Sequence, residues 1–341
     1  MEIVIEMNRP GYRQVVLYLV VGSLLFAAGW LTHWVYQGRL FRQPDRRAVL
    51  KGFRFTSPLL DVELPERMTV GNEHIPFSFK VEAFVKAQIK DGRARDIAVY
   101  YRDLHDGPWF TIDKNTEYNP ASMMKVPLMI AWLKRAEADR QELKRTFLYD
   151  GKKDMSAMQN IQPTHTLIPG RRYTVGELLD FMMRYSDNNA TAILYQEMDT
   201  KELIAVMDGM DVSNHPDEEN NFVTAYEYSG FFRILYNASF LNREMSEKAL
   251  ELLSHQDFPL GIAGGVPQGI VIASKFGEHA GGLNQEQKQL HEFGIVYHPE
   301  HPYILGVMTR GNDFGRQAEV IRDISRLIYT EHANATVGSG H

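Results

Sequence analysis

The sequence predicts an α+β protein, in which one antiparallel sheet is built from both ends of a domain and an all-helical lobe lies between them. Three observations carry this reading. Two short apolar runs, 97–104 and 109–112, follow an early helical pattern. A long stretch of helical periodicity then fills the middle of the chain. Three strand patterns and an amphipathic helix close it. A cleft between two such lobes is where a site is expected.

Before the domain, Gln14 to Gly38 carries no formal charge apart from a possible His33. At 1.5 Å per residue the run spans a hydrocarbon layer about 30 Å thick. Tyr18, Trp30, Trp34 and Tyr36 stand at or near its ends, as interfacial aromatics do. No small-x-small cleavage site followed by a polar stretch is evident, so residues 14–37 read as an uncleaved transmembrane helix in place of a signal peptide. Residues 1–13 form a tail before it. Residues 38–75, rich in arginine and proline, read as a linker, residues 76–332 as the folded domain and 333–341 as a tail. Arg39, Arg42, Arg46, Arg47, Lys51 and Arg54 follow the span, against Arg9 and Arg13 before it, and this charge bias by itself favours a cytoplasmic domain.

Within the domain, Phe77–Ile89 is a helix closed by Lys90-Asp91-Gly92. Strands at 97–104 and 109–112 are joined by His-Asp-Gly-Pro, a turn. Residues 121–136 form a helix that is apolar nearly all round and therefore buried. Thr174-Val-Gly-Glu177 is a capping box opening a helix over 175–185. Further helices occupy 189–198 and 245–254, with another starting near Ala225. Strands follow at 270–275, 292–297 and 303–309, and the last helix places Val320, Ile321, Ile324, Leu327 and Ile328 on one face.

With 341 residues, 44% hydrophobic, the chain is long enough for one large domain or two; a net charge of −6 does not suggest nucleic-acid binding. The chain has no cysteine, which excludes disulfides, thiolate-metal sites and a cysteine-linked lipid anchor. Walker and dinucleotide loops are missing, and His298-Pro-Glu-His301 has no third ligand nearby, so no cofactor or metal is expected. Asp61, Asp103 and Glu292 show no partner signal.

The chemistry lies elsewhere. Ser122 and Lys125 are three residues apart in Asn-Pro-Ala-Ser-Met-Met-Lys, a spacing that shares one helix face. An unprotonated lysine there can take the serine's proton. Chance produces about one S-x-x-K in a chain of this length, so the pair gains weight only from motifs further along the chain. Ser186-Asp187-Asn188 sits at a break between two helical patterns, and Lys275-Phe276-Gly277-Glu278 ends a β-branched strand. S-D-N arises by chance in roughly one chain in twenty.

In this order, S-x-x-K, S-D-N and K-x-G resemble the motif set of class A β-lactamases and penicillin-binding proteins. The resemblance covers residues 55–332 and implies the β-lactamase/transpeptidase-like fold, a five-stranded antiparallel sheet with flanking helices plus the helical lobe. It implies Ser122 as acylated nucleophile, Lys125 as its general base or proton shuttle, Ser186 as proton relay, Asn188 as a ligand of the substrate amide and Lys275 as a positive charge that lowers the Lys125 pKa. The N–H groups of Ser122 and Glu278 would form an oxyanion hole beside Phe276 and Gly277. The implied partner is a β-lactam or a D-Ala-D-Ala-like peptide, handled outside the cytoplasm by a membrane-anchored hydrolase; we follow this implication over the arginine bias. Two departures stand out. Phe276 replaces the hydroxyl residue that holds a substrate carboxylate, with His279 and His291 the nearby histidines. No E-x-x-L-N occurs between Asn188 and Lys275, and in the acidic loop Asp217-Glu218-Glu219 the candidate substitutes for its glutamate are Glu218 and Glu219. Slow deacylation is therefore expected, and a catalytically weak binding protein on the same scaffold stays open beside the hydrolase.

Overall fold

The structure, a computed structural model, describes residues 53–57, 75–105, 107–209, 222–281 and 287–338. The span expected at 14–37 and the loop with Glu218 and Glu219 lie outside the described residues. Among the described residues no helix is long and apolar enough to cross a membrane.

The domain begins with α1 (Ser78–Lys90), β1 (Asp96–Asp103), β2 (Trp109–Ile112) and β3 (Glu117–Tyr118). A 3₁₀ turn over Ala121–Met124 leads directly into α2 (Lys125–Ala138). The helical lobe continues through β4 (Thr146–Tyr149), β5 (Arg171–Thr174), α3 (Val175–Arg184), α4 (Asn188–Gln196) and α5 (Thr200–Asp208). It closes with β6 (Val223–Thr224), α6 (Ala225–Tyr236) and α7 (Arg243–Ser254). A short helix α8 (Ile262–Gly265) precedes β7 (Ile272–Gly281), β8 (Gln287–Val296), β9 (Tyr303–Gly311) and α9 (Phe314–Gly338).

Five strands form one sheet in the order β2-β1-β9-β8-β7, and every pairing is antiparallel. β7 is an edge strand, so one side of its backbone is open to ligands. Two apolar layers flank the sheet. One face packs with Met123, Trp132 and Phe231 of the helical lobe. The other packs with Val81 of α1 and Ile321 and Ile324 of α9. The capping box read at Thr174 is present, with the Glu177 N–H donating to Thr174 Oγ1 at 3.1 Å.

Three differences from the sequence-based reading matter. Ser122 precedes the α-helix in a 3₁₀ turn, where residues three apart are eclipsed, so it still shares a side with Lys125. β7 runs on to Gly281, which puts Lys275-Phe276-Gly277 inside the strand and not at its end. Residues 53–57, read as linker, are docked on the domain: Phe55 is 6% exposed, and Glu247 accepts from the N–H groups of Arg54, Phe55 (2.7 Å) and Thr56 (2.8 Å). Their arginine-rich surroundings hid one aromatic anchor.

Candidate active site

Four elements deliver the motif residues to one place. The turn before α2 presents Ser122. The first residue of α2 is Lys125, 4% exposed. Between α3 and α4 the chain reverses at Ser186, whose φ of 55° is left-handed and carries a cost on the order of 1 kcal/mol for a residue with a Cβ. Asp187 holds that reversal: its Oδ1 caps α4 by accepting from the Ala190 N–H at 2.7 Å, and its Oδ2 accepts from Thr166 Oγ1 and from the Leu167 N–H at 3.3 Å. Lys275 reaches in from β7.

These groups meet at the Ser186 hydroxyl. Lys125 Nζ donates to it at 3.1 Å and Lys275 Nζ at 3.0 Å. Lys125 also donates to Ser186 O at 2.6 Å and Asn188 Oδ1 at 2.8 Å, and Lys275 to Phe276 O at 3.0 Å. Neither amine forms a salt bridge among the described residues. Burial without a counterion disfavours the ammonium form. It pulls Lys125 from the ordinary 10.5 to about 7, against the opposing pull of Asp187 and Glu278. Burial also holds Lys275 well below the usual lysine range. The sequence-based expectation made Lys275 the cause of the Lys125 shift; burial is the cause instead.

Ser122 Oγ has no hydrogen-bond partner among the described residues and is half-buried. Lys125 as placed satisfies three acceptors on Ser186 and Asn188, the arrangement of an ammonium, and makes no hydrogen bond to Ser122; loss of one proton frees a lone pair on the side the two residues share. The edge of β7 forms the facing wall. The Phe276 N–H turns away from β8 and donates to Gln256 Oε1 at 2.9 Å. Peptide groups alternate sides along a strand, so the Glu278 N–H points to the same open edge. The turn carrying Ser122 lies against it: a Cβ on Gly277 would sit 2.5 Å from Pro120 O and 3.0 Å from the Met123 N. Only glycine admits this approach, which brings the turn carrying Ser122 against the strand edge that carries the Glu278 N–H. Tyr228 Oη fixes the turn from behind by donating to Met123 O at 2.7 Å.

The remaining site residues are placed differently. The Phe276 ring is 4% exposed and stacks on Phe258 with centroids 4.3 Å apart, in the core layer behind the strand. The Glu278 carboxylate reaches the helical lobe and accepts from the Asn160 N–H (2.7 Å), Asn160 Nδ2 (2.6 Å) and the Ile161 N–H (3.3 Å). His291 is structural: it is fully buried, the Thr309 N–H donates to its Nδ1 at 3.2 Å, and its Nε2 meets Asn119 O at 3.1 Å. Burial lowers its pKa to about 3.

Sequence reasoning missed the support. Glu292, read as partnerless, is buried and accepts from the Ile262 N–H (2.7 Å), Ser274 Oγ (2.9 Å) and Gln256 Nε2 (3.2 Å); burial raises its pKa to about 7. Gln159 Nε2 donates to Ser186 O at 3.1 Å. A single polar residue inside an apolar alternation was the available signal for Glu292; nothing local marks Gln159 or Gln256.

The site brings together a hydroxyl with no partner among the described residues, a buried amine whose proton is easily lost and a hydroxyl that accepts from two lysines, groups of the kind acyl transfer uses. The family model described as β-lactamase enzyme family matches residues 80–332. Comparison with curated proteins gives no match. Among solved structures, the chain is similar to a β-lactamase from Sphaerobacter thermophilus at 23% identity and TM-score 0.64, covering 76% of this chain and 98% of that one. A class A β-lactamase from Mycobacterium abscessus aligns at 19% identity and TM-score 0.61, covering 74% and 99%. A variant of PBP-A, solved as an acyl-enzyme complex with penicillin G, aligns at 18% identity and TM-score 0.61, covering 74% and 96%. At these identities the structural likeness establishes the fold.

Proposed function

The chain belongs to the β-lactamase enzyme family, a family of serine hydrolases, and we propose that it acylates Ser122 with a peptidoglycan-like peptide or a β-lactam and releases the product slowly. The observation that carries this reading is the convergence of two uncompensated buried lysines on Ser186 Oγ, at 3.1 and 3.0 Å, next to an unpartnered Ser122. Lys125 in its neutral form takes the Ser122 proton as Oγ attacks the carbonyl. The N–H groups of Ser122 and Glu278 hold the developing oxyanion; removing one such donor typically costs about 10²–10³ in rate. Ser186, accepting from both amines, keeps its own proton for the leaving nitrogen and is reprotonated through Lys125. Lys275 holds Ser186, and Asn188 orients Lys125 and the substrate amide.

Slow release is inferred from sequence: no E-x-x-L-N lies between Asn188 and Lys275 to position a water. Phe276 supports weak acylation by carboxylated substrates, because a ring buried against Phe258 offers no hydroxyl. That feature also favours the second reading, a weak binding protein on the same scaffold. We further propose that residues 14–37 anchor the chain with its domain outside the cytoplasm.

Mass spectrometry of the protein after exposure to a fluorophosphonate and to penicillin G tests the proposal. A covalent adduct on Ser122, lost in Ser122→Ala and persisting for many minutes with penicillin, is expected. Equal labelling of Ser122→Ala removes the nucleophile assignment. Chromogenic cephalosporin turnover above about 10 per second, usual for enzymes, removes the slow-release assignment.

A further inference from the structure

A cavity of about 330 Å³ opens at the sheet end beyond this site, lined among others by Arg95, Asn119, His279, Gln289 and Arg310. Its charged lining residues are Arg95 and Arg310. The Asn119 N–H donates to Gln289 Oε1 at 3.1 Å. A backbone N–H can only donate, so the oxygen of this amide is fixed and the other end is Nε2. Gln289 is only 6% exposed, and its Nε2 has no partner among the described residues. That nitrogen is accessible to solvent and opens on the cavity, where it can donate to a ligand.

The charge around it is positive. Arg95 Nε and Arg310 Nη1 both donate to the single carboxylate of Asp96, at 3.1 and 2.9 Å. The second hydrogen bond of Arg310 goes to a neutral carbonyl, Glu117 O, at 2.7 Å. Two guanidiniums thus share one counter-charge. His279 adds its Nε2, whose ring folds over Gly281; a Cβ there would lie 2.8 Å from that nitrogen. Water satisfies a lone donor, but an amide donor beside guanidiniums with surplus positive charge suits an oxyanion.

We propose that this cavity is an anion subsite for a carboxylate or phosphate on the acyl portion of the substrate. Its position fits. Asn119 stands three residues before Ser122, and His279 follows Lys275 by four residues, about 13 Å along an extended strand. A chain lying on the open edge of β7 reaches both. The subsite role rests on the acyl-serine reading above; anion binding itself does not.

The full-length chain in detergent is titrated with inorganic phosphate and, separately, with glutarate, following the His279 ring signal assigned through His279→Gln. A saturable shift is expected, weakened roughly tenfold or more in Arg95→Gln by loss of one charged donor. It should vanish in Gln289→Glu, which keeps the acceptor for Asn119 while replacing the donor, and persist in Ser122→Ala. Response to both anions supports a charge-based site; response to phosphate alone or glutarate alone supports it and names the group. No saturation, or saturation unchanged in both cavity variants, overturns it; if Gln289→Glu does not fold, Arg95→Gln decides. A matched pair of peptide thioesters bearing an acyl-side carboxylate or its carboxamide then tests the subsite. The carboxylate should acylate Ser122 with roughly tenfold higher kcat/KM, a preference lost in Arg95→Gln; equal rates overturn the subsite. If neither thioester acylates Ser122, the acyl-serine reading fails, the subsite falls with it, and the titration still decides the anion site.

Discussion

The two faces of β7 bury opposite chemistry one residue apart. Lys275 and Gly277 face the helical lobe, where buried amines lack a counterion and are held by neutral oxygens. Ser274 and Phe276 face the other layer, where a buried carboxylate, Glu292, is held by hydroxyl, amide and peptide donors and a phenyl ring packs on Phe258. Both clusters are shifted toward neutrality by burial. The difference is access. The lysine face opens on a cleft with a free hydroxyl, so its shift is usable in proton transfer. The glutamate face is sealed, so its shift has only structural meaning.

The largest test of this contrast is Lys125→Ala. Loss of the general base should slow fluorophosphonate labelling of Ser122 by about 10²–10⁴-fold with little change in melting temperature. Labelling at the unaltered rate would make the lysine face as inert as the other. On the sealed face the balance reverses. Phe258→Ala should cost about 3–5 kcal/mol in denaturant unfolding by leaving a void against Phe276, while labelling per folded molecule holds. A labelling defect exceeding the stability loss would mean that the faces are not separable.

Acidity should separate them next. Lys125 has a folded pKa of about 7, below its ordinary 10.5, so its base form grows as pH rises through 7. Acylation should climb about tenfold per pH unit below that point and level off above it, so that pH 5 lies roughly a hundredfold below the plateau. Glu292 titrates in the same range, so Glu292→Gln is the control; a midpoint that moves with it would assign the limb to the wrong face. Stability has its own sign: between about 7 and 10.5 the unfolded chain holds the lysine proton that the folded one has shed, so stability rises with pH across that window.

The smallest effect is expected at the rim. Glu278→Ala removes the carboxylate's bonds to Asn160 and Ile161, which are exposed or half-exposed, and should speed acylation by bulky probes only a few-fold. A slower rate would show that the carboxylate helps acylation instead of obstructing it.

The sequence reveals the reactive face and little of the sealed one, for a physical reason. Ser122, Lys125, Ser186 and Lys275 need fixed local spacings, and local spacing is what a linear chain displays. Gln256 acts across a loop and carries no local pattern, and Glu292 shows only as a polar residue within a strand, with nothing local to mark its partners. The α+β plan and its main elements were legible from periodicity, but β7 was cut short because Gly277, Glu278 and His279 interrupt its apolar run. The strand continues because its ladder with β8 holds it through Gly281. Docking of residues 53–57 depends on Glu247, almost two hundred positions away, and composition could not show it.

The bond between Glu278 and Asn160 ties the strand wall to the lobe wall, and that makes the protein its own competitor. A ligand that must lie between these walls meets a tethered occupant whose effective concentration never falls, whatever the dilution. Observed affinity is then the intrinsic affinity multiplied by the fraction of molecules in which the tie is undone. Two ligands with equal contacts will rank by how well each replaces that tie, and one offering an amide or amine to Glu278 inherits its place.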